Sequence, residues 1–297
     1  MGDSKLQHYL PIERFKSMDS ILFQEFGGSV PHKTFLSSGT TQSIRSRSHF
    51  SERGLAFFKS ASLKTFHSVM SYFFDDAGLH SAQGLSLVPP SSVWTDSSLA
   101  QMISWFGELW PLGHVEGAVS LASDIERITA GGKKIWLFGT AFHFVQILDQ
   151  LEGRKLILPE GSVIFETGGT KGKTREIGRE DLYTALSETF GVSKQRVVSE
   201  YSMCEMASQA YDFYDATVNS RRFLFPYWVK VGVLVGSGRV DSSGEGCLTL
   251  FDPARIDYPW PLRVQDLIRL DAEGGFTLLG RLPQAPLKGC SLNVEEI

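Results

Sequence analysis

The feature that most limits how this 297-residue chain can fold is an alternation of short apolar runs with amphipathic stretches that lasts to about residue 215 and then stops. Residues 52–74 place apolar side chains at helical spacing behind a weak Ser-x-x-Gly cap. "GLSLVPP" (84–90) reads as a buried strand ended by prolines, 97–110 as a helix, 133–140 as a strand and 141–151 as the helix leaving it. A strand over 162–169, a helix over 179–191 closed by Gly191, and a short strand over 195–203 follow. Such alternation implies a mainly parallel sheet covered by helices. Beyond about residue 216, "YWVKVGVLVG", "GCLTLFD", "LRVQDLIRLD" and "GFTLLGRL" read as strands separated by Gly, Asp and Pro clusters, an antiparallel pattern. The predicted class is α/β: a helix-layered, mainly parallel sheet over 1–215, a β-rich subdomain over 216–282, and a terminal segment, 283–297.

Composition removes several function classes. Hydrophobic residues make up 42% of the chain, with 21 Phe and 6 Trp, enough for a sizeable core and against disorder. A formal net charge of −4 gives no basic stripe, so no nucleic-acid partner is expected. Cys204, Cys247 and Cys290 are far apart, odd in number and without metal-site spacing, which fits a reducing, cytoplasmic setting. The first residues carry no apolar run, so no signal peptide is expected, and Leu6 stands where a myristoylation signal needs Ser or Thr. No stretch approaches the roughly 18 apolar residues of a membrane span.

Two glycine loops compete for a phosphate. "TGGTKGKT" (167–174) ends like a P-loop, but the pattern needs glycine where Thr167 stands, and no apolar helix follows directly. "TFLSSGTTQS" (34–43) is the better candidate. It leaves a strand and offers backbone N–H groups and the hydroxyls of Ser37, Ser38, Thr40 and Thr41 around Gly39.

Ser37-Ser38-Gly39-Thr40-Thr41 resembles the phosphate-loop core of the adenylate-forming enzymes: acyl-CoA synthetases, adenylation domains and luciferases. Three further segments follow in that superfamily's order. "EYSMCE" (200–205) resembles its Tyr-Gly-x-Thr-Glu motif, "LRVQDLIRL" (262–270) its Gly-Asp-Leu segment, and "LGRLPQAPLKGCSLNVEEI" (279–297) its Gly-Arg hinge and the region after it. Within the superfamily the chain looks like the LuxE-type acyl-protein synthetases over nearly its whole length. "YLPIERFKS", the Gly-Gly-x-Lys region after residue 167, and the ending Lys288-Gly289-Cys290-Ser291 are similar to that family's own segments.

The resemblance implies the fold of the large N-terminal domain of adenylate-forming enzymes, with the small C-terminal lobe absent or vestigial. It also implies formation of an acyl-AMP from ATP and a carboxylic acid, a fatty acid above all, with Mg²⁺ and release of pyrophosphate. Carried over residue by residue, Ser37, Ser38, Gly39, Thr40 and Thr41 would hold the β- and γ-phosphates, and Glu205 would ligate Mg²⁺. Tyr201 would stack on adenine, with Gly168 and Gly169 letting backbone approach the base. Asp266 would accept from the ribose hydroxyls, and Arg281 would contact the ribose or phosphate side. Cys290 would take the acyl group, its thiolate favoured by Lys288. A reductase or carrier protein could then be the acyl donor or acceptor.

The sequence departs from the pattern at Gln42, where the loop has another glycine, at Ser202 and Cys204, which replace Gly and Thr, and at Gln284, near the hinge position where larger relatives have Asp. Lys171, Lys173, Lys288 and Arg45 are all candidates for the phosphate-stabilising cation. Two alternatives stand beside acyl-protein synthesis: a thioester to coenzyme A, and a non-catalytic nucleotide-binding scaffold.

Overall fold

The computed structural model describes residues 9–17, 19–37, 45–168, 177–215, 220–236 and 238–282. They form two compact units. One holds the described residues of 9–35, 45–61 and 202–282, and the other those of 36–37 and 62–201.

The unit built on 62–201 is a parallel sheet. Strand Gln83–Ser86 lies between Leu112–His114 and Ile135–Thr140, and Val163–Thr167 and Val197–Tyr201 continue the order outward. Its strands are apolar on both faces, as buried parallel strands must be. On one face, Leu85, Ile135, Leu137, Ile164 and Val197 pack against helices Gly117–Ala130, Ala141–Leu151 and Arg179–Phe190. On the other, Trp136, Phe138 and Phe165 meet an aromatic layer. Phe66 stacks on Phe106 at 3.8 Å between ring centroids and meets Trp136 at 5.3 Å and Phe165 at 5.1 Å. Helix Arg179–Phe190 ends at Gly191 with φ 67°, the left-handed cap expected from sequence.

Two differences from expectation have local causes. The run 84–90 is strand only to Ser86, whose hydroxyl closes a turn on Val88 through bonds of 2.9 and 3.1 Å. Helix Gly117–Ala130 was not predicted: it opens on Gly117 and carries Ser120, Ser123 and Thr129, weak helix formers beside its stripe of Ala118, Leu121, Ile125 and Ile128.

Helix Ala141–Leu151 starts directly at the end of strand Ile135–Thr140, and a capping box sets its angle. Thr140 Oγ1 accepts from the His143 backbone N–H at 3.2 Å, and His143 Nδ1 accepts from the Thr140 N–H at 3.4 Å. Burial pulls the His143 imidazole down to about 4, so the ring is neutral in the fold.

The other unit is mainly antiparallel. Strands run in the order Val240–Asp241, Lys230–Leu234, Gly244–Phe251, Leu262–Leu270, Phe276–Arg281, Ser220–Leu224 and Ala210–Asp215, with Leu10–Pro11 added parallel to Leu262–Leu270. A buried cation joins its separate chain segments. The Arg255 guanidinium pairs with Asp257 at 3.1 Å and donates to Ser48 Oγ at 2.9 Å and the His49 carbonyl at 2.6 Å. It lies 3.6 Å from the Phe50 ring centroid and 4.3 Å from that of Tyr258. Asp257 in turn accepts from Ser51 Oγ at 2.6 Å, and Ser51 Oγ accepts from the Gly54 N–H at 2.9 Å, so the weak cap seen in sequence is formed. Glycine is required at 54: a Cβ there would sit 1.8 Å from Asp257 Oδ2. Among the described residues no helix is long and apolar enough to cross a membrane.

Two tests follow from these buried groups. Arg255→Ala leaves Asp257 buried without its cation and should destabilise by about 3–5 kcal/mol in urea unfolding. Arg255→Lys should recover little, because one ammonium cannot replace a stacked fork; a loss below about 1 kcal/mol for the alanine variant would refute the joining role. For His143, the folded value near 4 lies below the ordinary 6.5. The unfolded chain therefore takes up a proton first, and stability falls as pH drops from about 6.5 toward 4. His143→Asn keeps an acceptor for Thr140 but does not titrate. It should remove roughly 2–3 kcal/mol of the stability difference between neutral pH and a pH near 4.5. An unchanged pH dependence of the urea midpoint would assign the acid loss elsewhere.

Candidate active site

The parallel strands change character at their carboxyl ends. Paired rows run Leu137–Ile164–Val197 and Phe138–Phe165–Val198, and then Gly139–Glu166–Ser199 and Thr140–Thr167–Glu200. The last two rows are as buried as the first: Glu166 and Glu200 are each 3% exposed. Carboxylates so placed need hydrogen-bond donors. Ser199 Oγ donates to Glu166 at 2.9 Å, and the Thr167 hydroxyl donates to the Glu200 carboxylate and to the Glu200 carbonyl. Polar groups gathered at the carboxyl edge of an open parallel sheet mark where such folds bind ligands.

One residue beyond the Thr167–Glu200 pair stand Gly168 and Tyr201, both named from sequence. Gly168 has φ 80°, a conformation that the preceding strand could not continue with a side chain. Tyr201, half-buried, ends its strand. Ser37 follows strand Lys33–Leu36. Ser38, Gly39, Thr40, Thr41, Gly169, Lys171, Lys173, Lys288 and Cys290 lie outside the described residues.

In the antiparallel unit, Glu205 is 1% exposed and its Oε2 accepts from the Cys204 thiol at 3.2 Å. The turn that carries Glu205 is tied down just beyond it. Asp252 accepts from the backbone N–H groups of Ala207 at 2.9 Å and Ser208 at 2.7 Å, and from Ser208 Oγ at 2.9 Å. Trp228 Nε1 completes the set by donating to Ser208 Oγ at 2.9 Å. Burial pushes the Asp252 carboxyl up, and these donors pull it down. Asp266 and Arg281 occupy paired positions on neighbouring strands and form an ion pair of 3.0 Å. Arg281 also donates to Gln265 Oε1 at 3.2 Å. Cys247, half-buried in strand Gly244–Phe251, has its thiol pushed up by burial, as befits a structural residue.

The residues named from sequence therefore fall into neighbouring pairs: Gly168 with Tyr201, Cys204 with Glu205, and Asp266 with Arg281. Glu200, Asp252 and His143 were not singled out. Only an Asp-Pro turn step at 252–253 and a charge in the otherwise apolar run before Tyr201 hinted at the first two.

A magnesium ion is commonly held by one or two carboxylates together with substrate phosphates and water. Among the described residues no group of three or more His, Cys, Asp or Glu forms a metal cage. The single buried Glu205 carboxylate fits such an ion and does not fit a dedicated all-protein metal site.

No family model matches the sequence, and no curated protein sequence is detectably similar to it. Solved structures are similar in fold. O-succinylbenzoate-CoA synthetase from Bacillus subtilis in complex with AMP is 16% identical, with a TM-score of 0.56 over 88% of this chain and 64% of that one. The N-terminal domain of FACL13 from Mycobacterium tuberculosis is 14% identical, with 0.55 over 85% and 62%. The amide bond synthetase McbA from Marinactinospora thermotolerans is 17% identical, with 0.51 over 84% and 48%. The chain thus spans about half to two thirds of the length of these three structures. Its fold is that of the large N-terminal domain of adenylate-forming enzymes.

Proposed function

We propose that the chain activates a carboxylic acid, with a fatty acyl body, as an acyl-AMP and passes the acyl group to a protein cysteine. The observation that carries this reading is the neighbouring placement of Gly168 and Tyr201. The two residues that the superfamily's pattern sets against adenine stand side by side at the ends of adjacent parallel strands.

In the first step a carboxylate oxygen attacks the α-phosphorus of ATP and pyrophosphate leaves. The hydroxyl loop Ser37, Ser38, Gly39, Thr40 and Thr41 holds the departing phosphates. Tyr201 stacks on the base, which Gly168 and Gly169 leave room for. Asp266 accepts from the ribose, with Arg281 beside it on the neighbouring strand. Glu205 would hold Mg²⁺, which when bound offsets the charge that gathers on the phosphate oxygens. Asp252 keeps the turn after Glu205 fixed. In the second step the Cys290 thiolate, favoured by Lys288, attacks the acyl carbonyl, a thioester forms, and AMP leaves. A reductase or carrier protein would take the acyl group onward. The replacement of Thr by Cys204 and of Gly by Gln42 favours, as a second reading, a scaffold that binds nucleotide without chemistry.

Incubation with ATP, Mg²⁺ and a panel of fatty and aryl acids should release pyrophosphate and add one acyl mass to the intact protein. Cys290→Ser should abolish the added mass and leave pyrophosphate release; a coenzyme A ligase would instead transfer to coenzyme A unaffected by that change. Thr40→Ala or Thr41→Ala should slow pyrophosphate release by about 100-fold, the usual cost of losing one donor to transition-state charge. Lys173→Ala should leave ATP affinity largely intact, and the reverse pattern would restore the P-loop reading. Tight ATP binding without pyrophosphate from any acid would leave only the scaffold.

A further inference from the structure

The parallel sheet carries two ring donors that acyl activation leaves unexplained. Its strand order reverses direction between Gln83–Ser86 and Ile135–Thr140: the chain leaves the first for Leu112–His114 on one side and the second for Val163–Thr167 on the other. Connections that part in this way open a crevice at the carboxyl ends of the two strands. Trp94 lies on the segment that leaves the first strand, and His143 on the first turn of the helix that leaves the second. Their rings stack, with centroids 6.0 Å apart and planes 29° from parallel.

Trp94 is 6% exposed and its Nε1–H is buried without an acceptor. An indole nitrogen can only donate, and a buried orphan donor costs about 1–3 kcal/mol. All hydrogen bonds of the His143 ring run through Nδ1 to Thr140. Because Nδ1 accepts from the Thr140 N–H, the neutral ring carries its proton on Nε2, a second donor. His143 stands in the first turn of an 11-residue helix, whose first-turn N–H groups and dipole also favour oxygen. The row that begins at Thr140 ends two strands away at the Glu200 carboxylate, roughly 10 Å off by ordinary strand spacing. A buried carboxyl group there suits a neutral oxygen better than a second acid, and Phe138, two residues before Thr140 on the same face, gives the row an apolar floor.

We infer that Trp94 and His143 are specificity-determining donors for a neutral oxygen in the body of the acid substrate, a keto, hydroxyl or ether group on an apolar chain. The inference rests on the acid-activation reading above and narrows its substrate from a plain fatty acid to an oxygenated one.

The test compares dodecanoate with hydroxy- and oxododecanoates substituted along the chain, and with dodecanedioate. Binding is followed by calorimetry and turnover by pyrophosphate release. The best hydroxy or oxo acid should bind roughly ten-fold tighter than dodecanoate, the worth of one well-made hydrogen bond. In Trp94→Phe, which keeps the stacked ring and removes the N–H, that ratio should fall to within about two-fold. Equal binding of plain and oxygenated acids by the wild-type protein would overturn the inference, as would a preference that survives Trp94→Phe. Dodecanedioate binding above every hydroxy and oxo acid would overturn it too. Pyrophosphate release without discrimination sinks the donor pair and leaves acid activation standing. Selective binding without pyrophosphate does the opposite.

Discussion

A parallel strand covered on both faces must be apolar along its length, yet it can do chemistry only where it stops being so. This constraint shapes the whole parallel unit. The rows through Leu137 and Phe138 are filled by hydrocarbon and aromatic rings, and within two residues the same strands hold Glu166 and Glu200. Those carboxylates survive burial because Ser199 and Thr167 stand on the neighbouring strand in matching register. A one-residue slip would move each acid to the opposite face, away from the hydroxyl it now meets. The polar rows therefore help to fix the register, as the core does.

Much of this was legible in the sequence, because periodicity reports burial. The run Ile135–Thr140, the helix after it and Gly191 could be read directly, since each is set by local chemistry. So could the shift to antiparallel strands. Strand Leu112–His114 could not, because three residues carry no period. At the candidate site, Gly168, Tyr201, Glu205, Asp266 and Arg281 could be named because each stands inside a sequence motif. Residues held by a distant partner could not be named. Asp252 matters because Ala207 and Ser208, more than forty residues upstream, come within 3 Å of it. Arg255 looks like a surface charge until Phe50 and Asp257 enclose it. Trp94 reads as one more core aromatic until its N–H is found without an acceptor.

The two units solve the problem of holding a charged side chain in different ways. In the parallel unit, hydroxyls one strand away donate to the carboxylates. In the antiparallel unit the charges are matched: Arg255 with Asp257, Arg221 with Asp212, Arg281 with Asp266. Ion pairs of this kind fix geometry more than they add stability, since the cost of burial takes back most of the attraction. Asp252 and Glu205 are exceptions: Asp252 is a buried acid hydrogen-bonded by backbone N–H groups and one hydroxyl, and the segment it holds is the one that follows Glu205.

The hold of Asp252 on that segment bears on how Glu205 could serve a metal ion. A lone carboxylate beside a thiol is a poor ligand if its turn can move, because a hard cation rewards oxygen placed within a few tenths of an ångström. Three bonds from Asp252 remove that freedom without placing another charge on the turn itself. They leave the Glu205 side chain to be ordered by its own surroundings, of which the Cys204 Sγ–H is one. A threonine at 204 would offer a stronger donor in the same place. The thiol is the weaker competitor for the carboxylate, and so makes the smaller claim on an oxygen that a cation would need.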